Sequence, residues 1–481
     1  MKTPALLLLP VVLLGAAGAP DPVAVAAMAR KAAPEFAADA LIRLAADQKL
    51  DSRARIKLLS EAFRLAATAQ HPLKLRASIT RGGGAGGFLE RAYQLDLDAL
   101  SLRLRAVQQM LPLDRAKATK LFLSMAAPAV PPVRCEDIVV YDVAQYYDAL
   151  GTIAKAGHLN AAKVLKGRAG GVSSPAQIAP VARLLKEAEL KDSDLENFTQ
   201  LLAGSLREMS GDDRSFTYYA AQTGPAILDL MEELKRRHLA PLPLTEAYRL
   251  YLVHHLSGDR CADDELINRD PSITINLMTG RVTDVLGLNA AAFFAEKMLL
   301  PPLKALSEQE TTPHSLDGYA AGVQSCQDPA CQGITRREHE LAFDAEGQPL
   351  AESDHNTVAW RANLESTLKA MEEWQPGDGN VDEVFREKTW VYNNLYAMSL
   401  GASRDSVTRS WLNYLAQNRT KVSDRTQWLL PVSALIGRSA LDPSNTRLAE
   451  QLRTTDDPVI GLYVQVEHLA PRRLEQILAL V

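Results

Sequence analysis

The sequence predicts an all-α protein built from stacked antiparallel helix hairpins, α-solenoid-like, with an irregular disulfide-bearing insertion. Three observations predict it. Apolar residues recur at helical spacing in segment after segment, strand-like alternation is confined to two short stretches, and breaks rich in Pro or Gly separate many of the apolar runs. At 481 residues the chain exceeds one compact core, so several domains or one extended array are expected.

The first element is not structural. Lys2, an apolar run from Ala5 to Leu14 and the small-residue tail Gly15-Ala16-Ala17-Gly18-Ala19 make a secretory signal peptide over residues 1–19. The run is shorter than the ~20 residues a membrane span takes. Ala17-Gly18-Ala19 fits the small-x-small rule, but Pro20 would then follow the cut, so cleavage after Ala17 or Gly18 fits better. A secreted or periplasmic protein is expected, with its cysteines read as disulfide material.

Four further segments follow: N-terminal helical hairpins over 20–127, a middle helical region over 128–256, a loop-rich insertion over 257–355 and a Trp-rich helical region over 356–481. In 51–67 the stripe is Ile56, Leu59, Phe63 and Ala66, with Asp51 or Ser52 as cap. In 98–111 it is Leu100, Leu104, Val107 and Leu111. A short break then leads to 114–125, so these two helices should form a hairpin. The pattern continues in 137–156, 176–190, 193–209, 225–238 and 244–256. It returns in 356–373, 381–399, 405–416, 424–437, 456–469 and 471–480. The strand candidates are Ser272–Ile275 and His339–Phe343, the latter before a turn at Asp344–Gly347.

The cysteines are Cys135, Cys261, Cys326 and Cys331, which allow three pairings. Cys326–Cys331 with Cys135–Cys261 is preferred. The long pair would restrict the unfolded chain by up to ~4–5 kcal/mol. Zinc is the alternative, but no second short pair supplies structural-zinc spacing. All five tryptophans, Trp360, Trp374, Trp390, Trp411 and Trp428, lie in the last quarter. Trp360 shares a stripe with Leu364, Leu368 and Met371, and Trp411 with Val407 and Leu415, so packing between helices is expected over an exposed ligand platform.

One stretch, Tyr147-x-x-Leu150-Gly151 with Gly157 and Ala161-Ala162, resembles the tetratricopeptide repeat over about 20 residues. Gly157 comes one residue early and no 34-residue period recurs. The resemblance implies an α-solenoid whose concave surface binds other proteins.

Gly82 to Gly87 formally matches Gly-x-Gly-x-x-Gly. A dinucleotide site needs a preceding strand, a helix and an acidic ribose ligand, and only the helix is expected here. A flexible linker is the better reading, and no cofactor is expected. His254 and His255 stand before Asp259, Cys261, Asp263, Asp264 and Glu265, which could bind a divalent ion. Adjacent histidines point about 100° apart on a helix, however, so no metal site is assigned. His254 falls on the stripe of Ala247, Leu250 and Tyr251, so it is expected to be the buried one and His255 the dispensable one. His339-Glu340 lacks the second histidine of a zinc protease. Asp378 to Asp382 starts like a calcium loop, but Glu383 and Thr389 occupy two demanding positions. A polar helix start, capped by Asp378 or Asn380, is expected instead.

No Gly-x-Ser-x-Gly elbow is present, and no spacing singles out a catalytic triad. The net charge of −5 with mixed signs gives no clustered basic face for nucleic acid. Asn197-Phe198-Thr199 and Asn418-Arg419-Thr420 fit the glycosylation pattern, which matters only in a host that glycosylates exported chains. The expected function is an exported non-catalytic helical-repeat binding or scaffold protein, holding a protein partner or an extracellular polymer. The alternative is an all-α hydrolase or lyase with a His/carboxylate site in 254–355.

Overall fold

The computed structural model describes residues 20–77, 85–133, 137, 139–156, 161–209, 214–257, 329–375, 381–442 and 445–480. Helix accounts for 73 % of them and sheet for almost none, so the protein is all-α. The leader at 1–19, the strand candidate Ser272–Ile275, and Cys135, Cys261 and Cys326 lie outside the described residues. Cys331 is described and buried.

The chain divides into two compact units. One holds the described residues of 1–70, 91–97 and 325–481, and the other those of 71–90 and 98–324. This differs from the linear order of segments expected above. Residues 20–70 join the C-terminal region, and the rest of the expected N-terminal segment is divided between the units.

The first unit begins with α1 (Pro22–Ala29), α2 (Pro34–Ala45) and α3 (Ser52–Ala66). Asp51 caps α3 as expected, accepting the Ala54 N–H at 2.7 Å. α2 is buried nearly all round, including Glu35, Asp39 and Arg43. Those three charged residues stand at four-residue spacing, a polar row that the sequence shows and the fold buries. α4 (Ala85–Tyr93) brings Arg91 and Tyr93 to this unit.

The unit continues with α13 (Pro329–Ala342), α14 (Val358–Glu373), α15 (Val381–Met398), α16 (Gly401–Asn418), α17 (Arg425–Leu441), α18 (Thr446–Thr454), α19 (Pro458–Leu469) and α20 (Leu474–Leu478). α1 and α2 pack on α19, where Arg43 meets the Glu467 carboxylate at 2.6 Å. Phe36 lies against the rings of Trp428 and Tyr463, at 6.0 and 6.1 Å between centroids. The strand expected at His339–Phe343 is mostly the last turn of α13. Phe343 alone forms a bridge, to Pro349, across a turn closed by Gly347 at φ 76°.

The second unit holds β1 (Lys74–Ala77) and β2 (Val139–Asp142), antiparallel, with Lys74 opposite Asp142 and Ala77 opposite Val139. Its helices are α5 (Ala99–Met110), α6 (Arg115–Leu123), α7 (Ala144–Ala156), α8 (Ala161–Leu165), α9 (Pro175–Glu187), α10 (Asp192–Glu208), α11 (Arg214–Arg236) and α12 (Leu242–Ser257). The helix expected over 137–156 therefore starts late, because its first residues form β2. Val139, Val140 and Tyr141 suit a pleated surface as well as an apolar stripe. α5 and α6 pack together across a short link, capped by Asp98 and Asp114. α9 packs on α11 and α10 on α12. A Cβ at Gly151 of α7 would stand 3.1 Å from the Leu184 Cδ1 atom of α9, a close contact that the leucine side chain would have to relieve by a shift of its tip.

Candidate functional site

The histidine pair ends α12 in the second unit, in the reverse of the expected roles. His255 is 3 % exposed and His254 is exposed. The His255 ring stacks on Phe216 at 4.6 Å and lies 4.3 Å from Tyr251, and its Nδ1 meets the Tyr251 carbonyl oxygen at 2.9 Å. Burial, helped by His254, pushes its pKa down to about 4. Asp259, Cys261, Asp263, Asp264 and Glu265 lie outside the described residues. Among the described residues, no cluster of three or more His, Cys, Asp or Glu side chains could hold a metal ion.

The glycine run differs from expectation in two respects: β1 precedes it, and α4 begins inside it, at Ala85, so that Gly86 and Gly87 are helical. Yet β1 pairs antiparallel with β2, whereas a dinucleotide site needs a parallel crossover. Gly82, Gly83 and Gly84 lie outside the described residues, as do Gly157, Asp378, Gly379 and Asn380.

The tryptophans separate into two kinds. Trp360, Trp374, Trp411 and Trp428 are buried at 5 % exposure or less, with the stripe residues Leu364, Leu368, Met371, Val407 and Leu415 buried beside them. Trp390 is 43 % exposed. It projects from α15 away from the buried face of Phe385, Thr389, Tyr392 and Tyr396.

Helical spacing puts Trp390 in two polar rows at once. Arg386, Trp390 and Asn393 form one, and Glu387, Trp390 and Asn394 the other. On one flank, Asn394 donates to Glu338 of α13 at 2.6 Å. On the other, Arg438 of α17 donates to Asn393 at 2.6 Å, and Arg386 donates to Gln427 at 3.1 Å. An exposed indole thus stands between an acidic flank and a basic one.

Both carboxyls of the acidic flank hold their protons more tightly than usual. Burial raises Glu338 against the opposing effect of Asn394. Burial also raises Glu387, where Glu383 and Glu338 add like-charge repulsion and Arg386 opposes it. On the basic flank, Arg404 and Arg438 lie over the Tyr396 ring, with guanidinium carbons 5.2 and 4.7 Å from its centroid.

Two nearby features have structural roles. The buried Lys388 amine lies over Trp374 and Tyr414 at 5.5 and 5.1 Å and donates to the Trp374 carbonyl, closing the C-terminus of α14. Burial, then repulsion from Lys421, lowers its pKa to about 8. A cavity of about 350 Å³ lies beside Phe36, Arg419, Lys421 and Arg425. Its arginines are matched, Arg419 by Asp457 at 2.7 Å and Arg425 by Glu35 at 2.8 Å.

The sequence reading singled out neither Glu338, Glu387 nor the arginines. One signal was available: Trp390 falls outside the apolar stripe of its own helix, among polar residues at three- and four-residue spacing. Comparison of the chain with family models, with curated proteins and with solved structures finds no match. Among the described residues, no helix is long and apolar enough to cross a membrane.

Proposed function

We propose that the chain is exported to the cell exterior or periplasm and works there as a non-catalytic binding or scaffold protein. The Trp390 face of α15 is its contact surface for a protein partner or an extracellular polymer. The carrying observation is that the one tryptophan left open to water stands among unlike charges and side-chain amides, while the other four are enclosed. Indole rings at interfaces supply large apolar area with little rotamer freedom to lose, and they dominate binding hot spots.

The packing of α9 on α11 and α10 on α12 supports an α-solenoid of stacked hairpins in the second unit, as the tetratricopeptide-like stretch implies. Export goes with four oxidised cysteines, paired Cys326–Cys331 and Cys135–Cys261.

Crosslinking the native protein in its own cells, followed by identification of what it holds, tests this reading. Trp390→Ala should melt within ~2 °C of the parent, because a surface side chain contributes little to stability. It should also lose most of the crosslinked product. A variant that holds the same partner as fully as the parent would contradict the proposal.

One observation favours the all-α hydrolase or lyase as a second reading. Glu338 and Glu387 are two partly buried carboxyls close enough for the charge of Glu338 to act on Glu387, and burial raises the pKa of each. His254 and His255 lie on α12 of the other unit. Turnover of a host-envelope polymer that disappears in both Glu338→Gln and Glu387→Gln would move the assignment to an enzyme.

A further inference from the structure

We propose that Arg404 and Arg438 form a binding site around Tyr396 for a doubly charged oxyanion group, a phosphate or sulfate ester carried by a ligand. The inference rests on uncompensated charge and goes beyond the contact surface assigned to Trp390. Several other arginines of this unit are each matched with a carboxylate. Arg30 meets Glu61, Arg43 meets Glu467, Arg419 meets Asp457, Arg425 meets Glu35, and Arg447 meets Asp405, all at 2.5–2.8 Å. Among the described residues, Arg91, Arg404 and Arg438 form no ion pair.

All three are partly buried. Arg438 binds Asn393 through one amino group, while its other, Nη1, is buried with no hydrogen-bond partner. Arg404 spends only its Nε, on the Ser399 carbonyl at 2.7 Å. The arginines act on one another: burial lowers the Arg438 pKa, and Arg404 and Arg91 lower it further. Burial lowers Arg91 as well. Asp442 also acts on Tyr396, one negative charge against the two arginines.

Partly desolvated like charges are unfavourable without a counter-charge. Guanidinium forks match phosphate and sulfate oxygens two at a time. A dianion offsets more of the excess than a carboxylate does, and the unused donors of Arg404 and Arg438 are what it would engage. The Tyr396 ring holds both guanidinium planes in place whether or not an anion is bound, so the site is ordered beforehand.

Titration calorimetry of the full-length protein at constant ionic strength tests the assignment, with sodium sulfate, phosphoserine and sodium acetate as probes in chloride buffer. One equivalent of sulfate or phosphoserine should bind, the tighter of the two naming the ester type, with acetate at least about tenfold weaker. Arg404→Gln and Arg438→Gln should each weaken dianion binding about tenfold or more, and Arg404→Lys less, because it keeps the charge but loses the fork. Arg447→Gln, whose partner is the exposed pair with Asp405, should change nothing. If Arg438→Gln does not fold, Arg404→Gln decides. No heat with either dianion, equal affinity in Arg404→Gln and the parent, or acetate binding as tightly as sulfate would overturn the proposal.

Discussion

At the scale of single residues, His255 shows what burial does to a titratable ring. Its neighbours are Phe216 and Tyr251, and its folded pKa is about 4 against an ordinary 6.5. Between those pH values the unfolded chain takes up a proton that the folded chain refuses. Stability from this group is therefore complete above about pH 6.5 and falls by roughly 3 kcal/mol as pH drops toward 4. Urea unfolding at pH 7 and pH 4.5 should show a shallower loss in His255→Phe than in the parent, and identical losses would contradict this account. At pH 7, His255→Ala should cost roughly 2–3 kcal/mol by opening a cavity among aromatic rings. His254→Ala should stay within ~0.5 kcal/mol, since that ring is exposed.

These two roles are the reverse of those expected from the stripe of Ala247, Leu250 and Tyr251. Ala247, Leu250, Tyr251 and His254 fit helical spacing, but so do Leu244, Tyr248, Tyr251 and His255, and periodicity alone does not choose between adjacent stripes. The packing of α12 against α10 and α11 makes the choice, and it buries the second set.

At the scale of elements, Asp424 does the work of several residues at the start of α17. Its carboxylate accepts the Thr426 N–H at 2.9 Å, the Gln427 amide at 3.0 Å and the buried Tyr93 hydroxyl at 3.1 Å. Asp424→Ala should cost roughly 2–3 kcal/mol, more than an ordinary cap, because it strands two buried donors as well as the helix end. Asp424→Asn should lose less than half of that. Chemical denaturation checks both, and an alanine variant as stable as the parent would refute the shared role.

One-sided stripes made many helices legible: α3, α5, α6, α9, α10, α14 and α17 stand close to where the pattern put them. α2 does carry a legible charged row, Glu35, Asp39 and Arg43 at four-residue spacing, but the fold buries that row against Arg425 and Glu467 rather than turning it to water. β2 was read as helix because a strand of four residues is too short to show its own period.

At the scale of the whole molecule, the composition of the C-terminal region was legible but its site was not. The stripes through Trp360 and Trp411 announced a helical core. The flanks of the Trp390 face come from Glu338, Asn394, Asn393 and Arg438, and the charge of Arg91, more than 300 residues away in sequence, acts on Arg438. Such convergence leaves no spacing to read. One prediction concerns the exported state. Thiol titration of the unfolded, unreduced protein should find essentially no free thiol, and four free thiols would remove the support that oxidised cysteines lend to export.

The most direct test of the binding assignment is photocrosslinking from a reactive phenylalanine analogue placed at position 390 in the producing cells. Val358, 76 % exposed on α14, serves as the control position. The account predicts one discrete adduct from position 390, absent from position 358 and competed away by unlabelled parent protein. No adduct at 390, or the same adducts from both positions, would contradict it.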